Sequence, residues 1–89
     1  MTSAMLFTVN VVISYKPSIR DPEGETIYRQ LILKNNYSMV KNVRAGKFLR
    51  LLIEAESPEK AVEQVKQACL DLRIYNPVVH EIEVFLHGR

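Results

Sequence analysis

Residues 16–28, KPSIRDPEGETIY, place charged side chains among prolines and a glycine directly after an apolar run. Lys16 and Arg20 are the kind of side chains that bind phosphate, and Asp21 is a carboxylate that a metal ion could use. A phosphate cradle needs a run of backbone N–H donors, whereas the following proline removes a donor and Asp21 repels an anion. A metal site lacks further ligands. The favoured interpretation is a strand-to-helix bend that presents Lys16, Arg20 and Gly24 to another protein.

A second basic group lies at Arg44, Gly46 and Lys47. It is no Walker phosphate loop, because a glycine-rich lead-in and a following serine or threonine are absent from the sequence. Gly46 fits the turn of a β-hairpin. A turn does not require the charges of Arg44 and Lys47. Their presence predicts a basic tip that could meet an anion or an acidic surface.

The side chains best suited to catalysis or metal binding are Cys69, His80 and His87. Cys69 shares the apolar stripe of a predicted helix, so we expect a buried small hydrophobe. His80 and His87 lie seven residues apart on one predicted strand and are not spaced as a metal pair. We therefore predict no catalytic residue and no metal site in this chain.

Period-two alternation over residues 7–15 predicts a half-buried β-strand. Asp21 is suited to cap a helix that starts at the next residue, a proline, and Asn35-Asn36 is suited to end it in a left-handed conformation. Two apolar stretches, 39–45 and 48–55, predict a β-hairpin.

Ser57-Pro58 repeats the helix-start signal, and an apolar stripe follows at Ala61, Val65, Ala68, Cys69 and Leu72. Asn76-Pro77 breaks this helix, because the residue before proline is driven out of the helical region. Alternation over residues 78–87 then predicts a final strand.

The predicted order is βαββαβ, an α+β fold of ferredoxin-like arrangement in which both helices pack on one face of an antiparallel sheet. We expect residues 1–89 to form a single domain. The opposite face mixes apolar and charged residues: Val12, Phe48, Leu52, Val79 and Phe85 among Thr8, Asn10, Ser14, Arg50, Glu54, Glu81 and Glu83. Such a face predicts self-association, as a dimer or tetramer, with exchange of strands between copies left open.

Composition narrows the class of protein. The net charge is +2 with both signs spread along the chain, so no nucleic-acid partner is indicated. The longest nearly uncharged run is far shorter than the roughly 20 residues that span a bilayer, so no membrane segment is expected. A single cysteine forms no internal disulfide, and a soluble cytoplasmic protein is the default expectation.

Proteins with this order of strands and helices have at least three other functions, each of which requires particular residues. An RNA-recognition sheet needs alternating exposed aromatics, and the third strand has Phe48 alone. An acylphosphatase needs a glycine-rich phosphate cradle after the first strand, where this chain has SYKPSIRDPEG. A small-molecule-binding regulatory dimer of the ACT type stays open as the alternative.

The stretches YKPSIRDPEGETI, VRAGKFLRLLIEA and NPVVHEIEV, in this order and spacing, resemble the PurS family, the small subunit of phosphoribosylformylglycinamidine (FGAM) synthase. The resemblance runs from Phe7 to Leu86. Glu23 departs from it, since the family commonly has glutamine there, and KNNYSMV replaces a leucine-glycine-aromatic turn.

The resemblance implies a non-catalytic subunit of an ATP-dependent ligase of purine synthesis. Such a subunit bridges a glutaminase and a large synthetase as a dimer and assists ammonia transfer; ATP and Mg²⁺ are used by the assembled complex and not held by this chain alone. Subunit-interface or channel residues are then expected at the matching motif positions, Lys16, Arg20, Asp21, Gly24, Arg44, Gly46, Lys47 and Asn76.

Overall fold

A computed structural model describes residues 4–88 of the protein. Its elements are β1 (Met5–Tyr15), α1 (Pro22–Ile27), a π-helical turn (Tyr28–Ile32), a 3-10 turn (Leu33–Asn35), β2 (Gly46–Ala55), α2 (Pro58–Asp71) and β3 (His80–Leu86). The three strands form one antiparallel sheet in the order β2-β1-β3. The predicted α+β class with an antiparallel sheet is confirmed.

The core lies between α2 and one face of the sheet. Val9, Val11 and Ile13 are buried there, because alternate residues of a strand point to the same face. From α2, Ala61, Val65 and Cys69 meet them at helical spacing. Leu72, predicted to belong to the same stripe, is 71% exposed, because α2 has already ended at Asp71.

Both helices begin where capping chemistry predicts. Asp21 and Ser57 have extended backbones, and their side chains accept hydrogen bonds from N–H groups of the first turn. Each is followed by a proline at the first helical position. Asn36 ends the helical region with a φ of 67°, the predicted left-handed stop.

The predicted hairpin is wrong in its first arm. Residues 39–45 form no strand within the described chain, whereas β2 begins at Gly46. The backbone of this segment is tied to the start of α1 instead, since the Ala45 N–H donates to Asp21 Oδ2 at 2.6 Å. An N–H group that bonds to a side chain is not available to a strand ladder.

The two helices differ in how closely they approach the sheet. α2 packs against all three strands, whereas α1 makes no close backbone approach to the sheet or to α2 within residues 4–88. The bonds between the start of α1 and the segment before β2 hold α1 at the end of the sheet instead.

The chain is elongated, with extents of 59 × 28 × 14 Å and a radius of gyration of 16.8 Å. A compact domain of this length would have a radius of gyration of about 12 Å. Residues 28–45, called the arm below, comprise the two turns after α1 and the segment leading to β2. The π-helical turn approaches α1 and the 3-10 turn, and among residues 4–88 neither turn approaches the sheet or α2.

Candidate functional site

Asp21 is the most strongly held charged side chain of the bend. Its carboxylate is buried, with Oδ1 accepting from Gly24 N at 3.2 Å and Oδ2 accepting from Ala45 N at 2.6 Å. The Ala45 N–H, followed by that of Gly24, holds the pKa of Asp21 below its usual value despite burial. Asp21 thus joins the start of α1 to the start of β2.

Arg44 faces the same bend from the other side. Its Nη2 donates to three backbone carbonyl oxygens, those of Tyr15 at 3.2 Å, Lys16 at 3.0 Å and Ile19 at 2.9 Å. One guanidinium therefore joins the end of β1 to two carbonyls of the bend, which fixes the path of the bend. Arg44 has a structural role beyond the basic tip that the sequence predicted.

Two other predicted site residues lie on the surface of this bend. Arg20 is exposed and pairs with Glu25, with Nη2 and Oε2 3.0 Å apart. Lys16 contributes its backbone: its N–H donates to Val79 O at 2.9 Å, joining the bend to the segment before β3. An exposed ion pair adds little stability, so Arg20 is available for contact with another molecule.

Asn76 lies apart from the bend, in the turn before β3. Its Oδ1 accepts from Val78 N at 3.0 Å, and its own N–H donates to His80 Nδ1 at 3.0 Å. The His80 ring also packs on Tyr15, with centroids 5.0 Å apart. Asn76 therefore shapes the entry to the last strand.

A cleft of about 690 Å³ connects these regions at the end of the sheet. Asp21, Gly46, Lys47 and His80 all contribute to its wall. The Lys47 ammonium is in no ion pair among residues 4–88. The structure thus brings the bend, the Gly46-Lys47 pair and the start of β3 together around one cleft.

The face of the sheet opposite α2, called the outer face below, is half apolar. Phe48 is 52% exposed, Leu52 69% and Phe85 41%, which confirms the mixed face that alternation predicted. Val12 lies between Phe48 of β2 and Glu83 of β3 in the register of the sheet. Large apolar side chains exposed together on one face are typical of protein interaction surfaces.

A chain of polar side chains crosses the outer face. Arg50 Nε donates to Asn10 Oδ1 at 3.0 Å, and Asn10 Nδ2 lies 3.1 Å from His87 Nδ1. Because the Asn10 oxygen accepts from Arg50, its amide nitrogen faces His87, whose Nδ1 acts as the acceptor. Sequence reasoning missed this network, since Arg50 and His87 are brought beside Asn10 only by the register.

Cys69 lies in the core, and the potential metal ligands are spread over the described residues. Cys69 is fully buried, and burial raises the pKa of its thiol, so the protonated, weakly nucleophilic form prevails at neutral pH. In the described part of the chain, no three His, Cys, Asp or Glu side chains gather as a metal site would require. No helix among residues 4–88 has the length and apolar character needed to cross a membrane.

The lowered pKa of Asp21 predicts an acid-sensitive bend. A carboxylate with a lowered folded-state pKa contributes stability above its unfolded value, 3.8, and loses that contribution as the pH falls through the folded value. We expect Asp21→Asn to be less stable than the wild type at pH 7 and to lose less stability from about pH 5 downwards. Urea midpoints measured across this range test the prediction.

The control for this prediction is Glu23→Gln, which removes an exposed acid from the same helix start. We expect its acid dependence to follow that of the wild type. Parallel curves for Asp21→Asn and the wild type would show that the Asp21 bonds contribute nothing to acid sensitivity.

Comparison with known proteins identifies the family. The family model PurS, phosphoribosylformylglycinamidine (FGAM) synthase, matches residues 8–88. The chain is 46% identical over 80 residues to the phosphoribosylformylglycinamidine synthase subunit PurS of Thermotoga maritima, a match covering 89% of this chain and 94% of that protein. The corresponding subunit of Methanocaldococcus jannaschii is 34% identical over 79 residues, covering 89% of this chain and 93% of that protein.

Solved structures of PurS proteins also match this chain. The crystal structure of the T. maritima PurS subunit has a TM-score of 0.79 to this chain at 44% identity and covers 94% of each chain. A chain in the structure of PurLQS from T. maritima has a TM-score of 0.81 at 45% identity, covering 92% of this chain and 98% of its own length. Sequence and structure match over nearly the whole length, and the chain belongs to the PurS family of FGAM synthase subunits.

Proposed function

We propose that this chain is a non-catalytic subunit of FGAM synthase that bridges a glutaminase and an ATP-dependent synthetase and assists the passage of ammonia between them. The observation that carries the proposal is the match of 92% of the chain, at a TM-score of 0.81, to a chain in the structure of PurLQS. In this proposal the complex acts in the cytoplasm, and its ATP and Mg²⁺ are used by the larger subunits.

The chemistry of the described residues supports this division of labour. A glutaminase needs a thiolate with a base and an oxyanion hole, whereas the Cys69 thiol is buried and its raised pKa keeps it protonated. Ammonia is nucleophilic only when unprotonated, so a path that excludes water between two active sites preserves the reactive form. A small chain with several uncovered surfaces is suited to closing such a path.

We further propose that the outer face is covered by a second copy. A two-fold contact places the same patch on both sides, so the patch must complement itself. The outer face meets this condition: it carries Phe48, Leu52 and Phe85 together with the cation of Arg50 and the carboxylate of Glu83. The assembly unit is therefore a homodimer, and pairs of dimers would give a tetramer.

Assembly tests the bridging role. The chain is mixed with a glutaminase and a large synthetase subunit from the same source, and the masses of the eluting species are measured by light scattering. We expect one complex that contains all three chains and that breaks into smaller species when this chain is omitted. Elution of this chain apart from an intact pair of larger subunits, as a stand-alone regulatory dimer would behave, contradicts the proposal.

A further inference from the structure

The arm and the strand that follows it carry charge of one sign. Between Thr26 and Ile53 the chain has six basic residues and no Asp or Glu: Arg29, Lys34, Lys41, Arg44, Lys47 and Arg50. The rest of the chain has six basic and ten acidic residues, a net charge of −4 against +6 for this stretch. The molecule is therefore polarised, and the acidic remainder of one copy complements the arm of another.

The arm extends away from the body of its own chain. Its two turns approach neither the sheet nor α2 within residues 4–88, and the chain is 59 Å long but 14 Å thick. Leu31 is 58% exposed, Tyr37 55% and Met39 69%. Apolar side chains exposed beside cations on a projecting segment are typical of a protein contact with an apolar centre and a charged rim.

The lysines of the arm have no acidic partner within the described chain. Lys34 and Lys41 are exposed, and neither is in an ion pair among residues 4–88. In a contact between two arms these cations would face each other, which opposes association. The arm is therefore suited to an acidic surface on the body of another molecule.

The outer side of β3 is such a surface. Glu81 and Glu83 are exposed there, and Phe85 follows on the same side with 41% exposure. Their partners across the β1 ladder are Ser14 and Val12, so no cation lies directly opposite either carboxylate. β3 is also an edge strand of the sheet, and a further segment can lie alongside it.

Several other acids of the body are already compensated. Glu25 is paired with Arg20 at 3.0 Å, and Glu56 with Lys60 at 2.8 Å. Both carboxylate oxygens of Asp21 accept from backbone N–H groups. The two glutamates of β3, by contrast, are in no ion pair among residues 4–88, so their charge is available to a partner.

We propose that the arm of each copy packs along β3 of a second copy, so that the arm and the outer face together form the homodimer contact. The arm's lysines, Lys34 and Lys41, then lie against the two carboxylates of β3, and its exposed apolar side chains lie toward Phe85. Two-fold symmetry makes the contact reciprocal. The inference rests on the homodimer proposed above and names the segment of the partner that completes it.

The test exchanges the charges of the two surfaces. An arm variant carries Lys34→Glu and Lys41→Glu, and a strand variant carries Glu81→Lys and Glu83→Lys. Each variant alone places like charges in both reciprocal contacts, whereas a heterodimer of the two places opposite charges in both. Dissociation constants are measured on the isolated full-length chains by light scattering over a dilution series, and circular dichroism checks that each variant is folded.

We expect each variant alone to dimerise about tenfold more weakly than the wild type at about 0.05 M salt, with a smaller deficit at about 0.5 M salt. The equimolar mixture should form a heterodimer with a dissociation constant within about threefold of the wild-type value. Recovery on mixing is specific to a reciprocal contact between the arm and β3, because each substitution alone is unfavourable.

A matched control separates this contact from net charge. Glu63→Lys with Asp71→Lys changes two exposed acids of α2 and gives the same net charge as the strand variant. This control should dimerise within about twofold of the wild type, since its substitutions lie away from the contact. Mixed with the arm variant, it should form a heterodimer more weakly than the strand variant does, because one of the two reciprocal contacts still has like charges.

Four results would overturn the inference. If the arm and strand variants dimerise as tightly as the wild type while Leu52→Glu does not, the homodimer stands and the arm lies outside it. Variants that are weakened but do not recover on mixing would show that the arm and β3 do not meet. An arm variant that keeps the dimer but loses binding to a larger subunit would assign the arm to that subunit. A wild-type chain that is monomeric throughout the dilution series would refute the homodimer itself, whatever the outcome for the bridging role.

Discussion

Replacing Leu52 with glutamate is expected to convert the proposed homodimer into monomers while leaving each chain folded. Leu52 is 69% exposed on the outer face, so the folded monomer loses little from the change. In a two-fold dimer the substitution occurs twice, and each copy loses about 1.5–3 kcal/mol of apolar burial. Together these losses weaken the dimer by roughly a hundredfold to ten-thousandfold.

The chain offers a closely matched control for this substitution. Leu72 is 71% exposed, immediately after α2 and away from the outer face. Leu72→Glu should therefore keep the dimer. Sedimentation or light scattering across a dilution series gives the dissociation constant for both variants. A dimer that tolerates Leu52→Glu but is lost with Leu72→Glu would place the contact on the wrong side of the sheet.

The second large effect is expected at Gly24. A helical glycine replaced by alanine normally gains about 1 kcal/mol of stability, because alanine is the better helix former. At Gly24 a Cβ would lie 2.5 Å from both Asp21 Oδ2 and the backbone oxygen of Val43. Because Val43 contributes backbone and Asp21 is held by two hydrogen bonds, we expect Gly24→Ala to destabilise the fold by about 2 kcal/mol.

The expected loss of stability is opposite in sign to the usual effect of a glycine-to-alanine change in a helix. Thr26→Ala, in the same helix at an exposed position, should be neutral or slightly stabilising. Chemical denaturation of both variants gives the difference in free energy of unfolding. Stabilisation by Gly24→Ala would show that α1 does not lie against the segment before β2, and would remove the physical basis for the bend.

The positions where the helices begin could be predicted from residues that are neighbours in the sequence. A capping side chain followed by proline sets a helix start within a few residues, as at Asp21 and Ser57, and alternation sets a strand and its two faces, as in β1. The half-apolar outer face followed from the same alternation. These features depend on residues that are close in sequence, so the order of residues is enough to predict them.

The errors come from contacts between distant parts of the chain. Residues 39–45 have the apolar content of a strand, but whether a strand forms depends on a partner, and Asp21 takes the Ala45 N–H instead. Arg44 was predicted as a free basic tip, and it binds carbonyls 25 to 29 residues away. The Arg50–Asn10–His87 chain likewise exists only because of strand register.

We propose that this chain connects two active sites without containing either. The most direct test is the rate of FGAM formation by the two larger subunits, with and without this chain, driven either by glutamine or by added ammonia. We expect the glutamine-driven rate to depend strongly on this chain, while the ammonia-driven rate at saturating ammonia depends on it weakly. Equal glutamine-driven rates with and without the chain would contradict the bridging role.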